Sequence, residues 1–363
     1  MNYYLQEQFS DMKLNASALG KARTDICSIC DNLGYSPVEL RVDFVPKDED
    51  GFIKKYRQHC QISKQWHMLL KKMQAGDYLI VQYPLMFNSI FLGKELDYCK
   101  KRGIRVVCLV HDLDILRMGK AKTIALRKRI KIHLQELRQL KKYCGLIVHN
   151  EKMLQFLIQQ KFDKQRIVSL NLFDYLVRED KQCIETTSQA ICVAGNLSPK
   201  KAGYVYKLWQ LPLVFNLYGG AYKDSGQTQE DNQRNVYYQG VFESEQLVNE
   251  LDGRYGLVWD GDDLTTCSGI YGNYERYNNP HKASLYLAAG LPLIVWSKAA
   301  IATFVKEKKI GIVIDSLHEL PKCLDEISVS EYEQLRKNAG QLGHALRQGQ
   351  FTKTALEKVH EIS

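Results

Sequence analysis

The chain has 363 residues, of which 45% are hydrophobic and 25% charged, with a formal net charge of +9. That length predicts two domains of ordinary size, and the composition is that of a globular protein rather than a disordered or fibrous one. Met1–Leu5 has neither the basic start nor the apolar stretch of a secretion signal. The longest apolar run, Leu285–Trp296, is broken by Gly290 and Pro292, which argues against a membrane span and for a cytoplasmic chain.

Strand-like runs in the first half fall at Tyr3–Leu5, Val38–Val42, Tyr78–Tyr83, Val106–Val110 and Leu146–His149. Helical patterns fill the gaps, for example Ala18–Leu33 and Lys54–Met73. Cys27 and Cys30 form a CxxC inside a helical pattern with no second pair at zinc spacing. They read, like the other scattered cysteines among the ten, as reduced core thiols. From Arg117 to Lys142 basic residues crowd one helical pattern, with Leu126, Ile130, Leu134 and Leu137 at helical spacing and Glu136 as the opposing acid. This basic amphipathic segment suits contact with an anionic membrane surface or simple solvation. No nucleic-acid-binding motif accompanies it, so nucleic acid is the weakest partner.

Between Phe173 and Gln189 the pattern becomes polar and aperiodic, which predicts a hinge. Strand-like runs then restart at Ala190–Val193, Leu213–Tyr218, Val236–Gln239, Tyr255–Trp259, Leu293–Trp296 and Gly311–Ile314. The alternation predicts an α/β protein of two doubly wound parallel sheets, each covered by helices. The expected domains are 1–172 and 190–329, joined by a linker at 173–189, with helices over 330–363 packing back onto the first domain.

In such sheets ligands gather beyond the carboxyl ends of strands. The polar residues there are His111-Asp112 and the weaker His149-Asn150 in the first half, and Gly195–Lys201, Tyr218-Gly219-Gly220 and Asp260–Asp263 in the second. A histidine or carboxylate at 111 or 112 is suited to take a proton from a hydroxyl, although a capping Asp explains it nearly as well. Gly195 permits close backbone approach, with Asn196 beside it and Lys200 or Lys201 placed to meet a phosphate. The chain has no GxGxxG and no GxxxxGK[ST], so neither a dinucleotide oxidoreductase nor a P-loop ATPase is supported. Asp260-Gly-Asp262 has the spacing of a divalent-metal chelate, but its place deep in the second domain favours a metal-free loop.

The segment Cys267–Trp296 carries the strongest signal: a polar Gly/Tyr/Asn loop, a short helix and a buried strand. Pro280 and Gly290 bracket a helix of about ten residues, with Asn279 as its expected N-cap. The first-turn N–H groups of His281 and Lys282, beside a lysine side chain, predict an anion site suited to a diphosphate. Tyr271, Tyr274 and Tyr277 are pocket-wall candidates, although tyrosines in such loops as often simply pack.

Ala194–Ser198, Phe173–Val177, Gly256–Asp262, Thr266–Gly269 and Tyr277–Leu287, taken together and in this order, resemble bacterial β-1,6-galactofuranosyltransferases of O-antigen and capsule assembly. More distantly the chain is similar to glucosyltransferases that glycosylate serine-rich adhesins. The resemblance implies a GT-B glycosyltransferase: a first, acceptor-side domain and a second that binds a UDP-sugar, without a metal ion or other cofactor. It implies donor contacts at Gly195, Asn196, Lys201, Tyr218, Gly219, Asp260, Tyr274, Asn279, Pro280, His281 and Lys282. Transfer from an α-linked UDP-galactofuranose to a β-linked product would invert, with His111 or Asp112 as general base. The absence of a retaining-type Glu-x7-Glu pair agrees with inversion. Lys21, Arg23 and Asp25 match the family's Ala-Gly-x-Lys-Ala-Arg loop, with the glycine displaced to Gly20, and Arg117 joins them as an acceptor-side candidate. A lipid-linked glycan acceptor at the inner membrane face and a homo-oligomer both fit the resemblance.

Overall fold

A computed structural model of the chain describes residues 1–9, 18–42, 51–87, 89–118, 134–177, 188–223 and 235–363. Most of the basic segment predicted between Arg117 and Lys142, and most of the predicted hinge, lie outside the described residues. The chain forms two compact units. One comprises 1–14, 23–170 and 352–363; the other comprises 15–22 and 171–351.

The first unit holds β1 (Asn2–Phe9), most of α1 (Ala18–Asn32), β2 (Ser36–Val42), α2 (Phe52–Lys71), β3 (Tyr78–Tyr83), α3 (Leu92–Lys101), β4 (Arg105–Val110), α4 (Asp114–Met118), α5 (134–140), β5 (Gly145–Val148), α6 (Glu151–Gln159) and β6 (Ile167–Ser169). Its six strands are all parallel, in the order β2-β1-β3-β4-β5-β6. The interior strands β3 and β5 are buried along their whole length. That is why they read as near-continuous apolar runs, interrupted in β3 by Gln82, rather than alternating ones. Trp66 and Leu70 of α2 pack into the same core as Leu79, Val81 and Cys108.

The second unit holds β7 (Ile191–Ala194), α7 (Pro199–Ala202), β8 (Phe215–Tyr218), β9 (Val236–Gly240), α8 (Ser244–Glu250), β10 (Tyr255–Val258), α9 (Gly269–Tyr274), α10 (His281–Ala288), β11 (Leu293–Trp296), α11 (Ala302–Lys308), β12 (Gly311–Ile314), α12 (Leu320–Asp325) and α13 (Val329–Arg347). Its strands are also parallel, in the order β12-β11-β10-β7-β8-β9. The strand order reverses between β7 and β10, the switch point at which doubly wound sheets bind ligands.

The C-terminal helices divide. α14 (Gln350–Ile362) belongs, from Thr352, to the first unit. A side chain on Gly145 of β5 would meet Val359 at 2.8 Å, and Arg105 donates to the Ser363 carbonyl at 3.1 Å. α13 stays with the second unit, where a Cβ on Gly343 would fall 1.9 Å from the Leu287 carbonyl of α10. Arg347 donates to the Ala288 carbonyl at 2.6 Å, satisfying the end of α10.

Candidate active site

In the second unit the site is assembled by how α10 lies on β10. Lys282 and Tyr286 stand one helical turn apart and so share a face. Tyr286 sits over Gly256, where a Cβ would fall 2.0 Å from its ring, so only glycine admits it. Its hydroxyl accepts the Ala194 N–H at 2.6 Å, tying α10 to the end of β7. One turn earlier, Lys282 therefore falls at the end of β10. Its Nζ donates to the Trp259 carbonyl at 2.7 Å and to Asp260 Oδ1 at 2.8 Å, with Glu275 Oε1 at 3.9 Å.

This cluster is buried: the Lys282, Asp260 and Glu275 side chains are 13%, 11% and 1% exposed. Burial lowers the affinity of Lys282 for its proton, but the two carboxylates outweigh that and hold it above the ordinary lysine range. Glu275 is pushed up to about 8, first by burial and then by Asp260, with Lys282 opposing. The Cys267 thiol donates to Glu275 Oε2 at 3.4 Å. Glu275 was not singled out from the sequence, where it looks like a surface acid in a polar loop.

Around the cluster the backbone is bent for close approach. Gly195 has φ 130° and open space where a Cβ would stand. Gly219, at φ 137°, crosses so near that its Cβ would fall 1.9 Å from the Gly195 carbonyl. The turns are stitched by Gly195 N–H to Tyr218 O and Leu197 N–H to Gly220 O, both 2.9 Å. Asn196 accepts the Ser198 N–H at 2.9 Å. The Asp260 loop is held from the other side by Gly261 N–H to Lys201 O at 2.9 Å, and Lys201 Nζ lies 5.4 Å from the centre of the Tyr271 ring.

Several expectations change. α10 starts at His281 rather than Pro280: Pro280 is extended (ψ 138°) and is itself the N-cap, accepting the Ala283 N–H at 2.9 Å through its carbonyl. A proline's φ suits either position, and its ψ decides. The Asn279 side chain donates to the Asn171 carbonyl, and the N-cap position falls to Pro280 instead. Gly290 does take the left-handed conformation beyond the helix end (φ 79°). The His281 ring stacks on Tyr175 with centres 5.0 Å apart, and burial depresses its pKa to about 4, so it adds no positive charge near neutrality. Tyr218 is a core side chain whose hydroxyl accepts the Asp252 N–H at 3.0 Å, and Tyr274 is buried too. Asp260 is engaged with an ammonium, and Asp262, exposed, does not join it in the cluster.

In the first unit, Glu7 near the end of β1 accepts the N–H groups of Met86 (3.2 Å) and Phe87 (2.9 Å) and lies 3.4 Å from Arg23. Burial raises Glu7 and lowers Arg23, and their mutual attraction opposes both shifts. Arg23 also donates to the Pro84 carbonyl. The segment around Gly20 is helical, as the pattern over Ala18–Leu33 predicts, rather than the loop that the resemblance implies. Within the second unit's portion of α1, Lys21 donates to the Leu176 carbonyl at 2.6 Å over the Tyr175 ring, and it is buried. Asp25 is buried in the first unit's portion of the same helix. His111 is buried with its Nε2 2.7 Å from Gln82 Oε1, and its carbonyl lies 2.6 Å from His149 Nε2. Asp112 keeps 27% of its side chain exposed, 3.4 Å from Arg117, which also binds Asp114 at 2.7 Å. Asn150 caps α6 by accepting the Met153 N–H. Glu136 is no solvated counter-charge: it is buried, accepts from Asp114 N, Ile115 N and Tyr83 Oη, and is raised to about 7 chiefly by burial. Among the described residues no helix is long and apolar enough to cross a membrane.

Family profiles described as the N-terminal and C-terminal domains of glucosyltransferase 3-like proteins match residues 3–172 and 191–359. The beta-1,6-galactofuranosyltransferase WbbI of Escherichia coli (strain K12) is 32% identical over 260 residues, which cover 70% of this chain and 71% of WbbI. Glucosyltransferase 3 of Streptococcus gordonii is 32% identical over 339 residues, 92% of each chain. Among solved structures, that of HepE from Anabaena in complex with UDP superposes with a TM-score of 0.56 at 11% identity, covering 97% of this chain and 98% of HepE.

Proposed function

The chain belongs to the glucosyltransferase 3-like family and is a glycosyltransferase of the GT-B fold; from that premise we propose that it transfers galactofuranose from UDP-galactofuranose to a sugar hydroxyl of a cell-surface glycan precursor. The observation that carries the donor site is Lys282 in the first turn of α10, at the end of β10 and at the switch point of its sheet. The helix N-terminus and Lys282 receive the diphosphate, with Lys201 nearby, and the Gly195 turn lets backbone approach the nucleotide. The likeness to WbbI favours galactofuranose.

Chemically, an acceptor hydroxyl attacks the anomeric carbon, the bond from that carbon to the diphosphate oxygen breaks, and UDP leaves. The hydroxyl proton passes to a base. Asp112 suits that role better than His111, because His111 is buried with a ring nitrogen on Gln82 whereas Asp112 is part-exposed at its strand end. The configuration inverts, and neutralisation of the leaving group falls to cationic side chains and the helix end rather than to a metal ion. An acceptor carried on a lipid at the inner membrane face would fit such a precursor.

A second reading, transfer of glucose from UDP-glucose, draws on the 92% coverage of the S. gordonii glucosyltransferase. The test is UDP release by the purified chain with each donor separately, plus a simple sugar acceptor, with and without a chelator. Turnover with UDP-galactofuranose that survives chelation is expected. A preference for UDP-glucose installs the second reading. UDP binding without turnover on either donor would make the chain a non-catalytic subunit.

A further inference from the structure

We infer that Glu275 is a positioning residue of the donor site, a buried carboxyl that must keep its proton for Lys282 to offer its charge to an entering diphosphate. The inference rests on the donor-site reading above and concerns what governs that site.

Glu275 is fixed on both sides. Its N–H reaches the Tyr271 carbonyl at 3.3 Å, and its own carbonyl accepts the Ala300 N–H at 2.7 Å. With 1% exposure the side chain cannot swing to water. Oε2 accepts from the Cys267 thiol, while Oε1 has no hydrogen-bond partner among the described residues and faces Lys282 Nζ at 3.9 Å. The charged and titratable groups around it are Asp260, Lys282, Cys267 and Lys201, with Tyr204 behind them. Cys267 is driven well above the ordinary thiol range by burial, so it stays a thiol.

The charge balance of the buried core of this cluster then turns on one proton. With Glu275 protonated, Lys282 and Asp260 cancel. With Glu275 ionised, two carboxylates face one ammonium, and the core is net negative where an anion must enter. Two carboxylates sharing a buried site do not readily ionise together. An arriving diphosphate adds further negative charge and so tightens the hold of Glu275 on its proton. Anion binding and protonation of Glu275 are therefore linked. The direction agrees with the pKa of about 8, raised first by burial. Below that value the site accepts the anion; above it, Lys282 is shared between two carboxylates.

The experiment is titration calorimetry of the full chain with UDP between about pH 7.5 and 9, well above the ~6 at which a terminal phosphate is half-ionised. His281 is neutral throughout that window, its pKa lying near 4. The native chain should lose up to about tenfold in UDP affinity per pH unit once Glu275 ionises. It should also take up as much as one proton on binding, read from buffers of different ionisation enthalpy. Glu275→Gln keeps the shape, cannot ionise, and should show a nearly flat affinity and no uptake. Should that variant fail to fold, proton uptake by the native chain decides alone. UDP binding by the native chain with no uptake and no pH dependence, or an undiminished pH dependence in Glu275→Gln, overturns the inference and leaves the donor site standing. Failure to bind UDP at any pH, or undiminished binding by Lys282→Ala, overturns the donor-site reading itself.

Discussion

The two sheets both bring charge to the carboxyl ends of their strands, and they do so in opposite ways. In the first unit the carboxylates are answered by several donors each, although Arg23 Nε has no hydrogen-bond partner among the described residues. Glu7 receives two backbone N–H groups and an arginine, Gln82 bridges His111 and the Arg23 carbonyl, and Glu136 caps α4 from a distance. In the second unit one lysine serves two carboxylates, one of which has an oxygen without a hydrogen-bond partner among the described residues. Glycines there hold the turns open. A network in which each carboxylate has several donors fixes geometry. A buried lysine shared by a carboxylate and a carboxyl that can lose its proton sets an electrostatic preference that a ligand can use. On the proposed function, the first site would take the acceptor's proton and the second would bind the anion.

The largest expected effect tests the first half of that contrast. Asp112→Asn should lower kcat by about 10²–10⁴, the range for losing a general base, with the donor KM little changed. Measuring His111→Asn beside it breaks the assignment if the histidine variant loses more. Lys282→Ala tests the second half and should cost on the order of 10²–10³ in turnover, as for removal of a charge stabiliser. It also leaves buried Asp260 without its cation, a change typically worth about 3–5 kcal/mol of stability. Turnover should therefore be read on protein shown to be folded, and near-normal turnover there ends the diphosphate role.

A smaller effect separates the two glycines. Gly219→Ala puts a methyl 1.9 Å from the Gly195 carbonyl, so backbone must move and both melting temperature and UDP affinity should fall. At Gly195 a methyl meets open space, at a φ that L-residues rarely adopt. Gly195→Ala should thus weaken UDP binding more than it lowers the melting temperature. The same loss of stability in both variants would mean that the Gly195 turn is purely structural.

Much of the architecture is legible because most of the parallel strands are short apolar runs, and eleven of the twelve are separated by helical patterns or turns. β6 escaped notice because three residues carry too little pattern. At the site, Gly195, Asp260 and Lys282 stood out as polar or glycine residues just past strands or at a helix start. Their mutual engagement did not, since an ion pair between residues 22 apart depends on how α10 lies on β10. That placement is set by Gly256 beneath Tyr286, a pairing with no local signature. Glu275 is hidden for the same reason: burial, not residue type, gives it its chemistry. Glu136 offered a better clue, as a solitary acid in a basic run.

The smallest effect concerns His281, which shares the first turn of α10 with Lys282 but has the reverse electrostatics. Its ring is stacked on Tyr175 and edge-on to Phe173, with Nε2 3.4 Å from the Asp174 carbonyl. Burial and, to a lesser degree, Lys21 disfavour its charged form and hold its pKa near 4. The folded value thus lies below the ordinary histidine value of about 6.5. Stability from this group is complete above that value and is lost as pH falls through it toward 4, because the unfolded chain then binds the proton more readily. Thermal melts of the native chain should therefore decline between about pH 6.5 and 4. His281→Phe keeps a ring for the stack and removes the proton-binding site, so it should flatten part of that decline while leaving UDP binding at neutral pH intact. Loss of UDP binding in His281→Phe at neutral pH would mean that the imidazole itself touches the nucleotide, and the division between a neutral packing face and a charged ligand face of α10 would have to be redrawn.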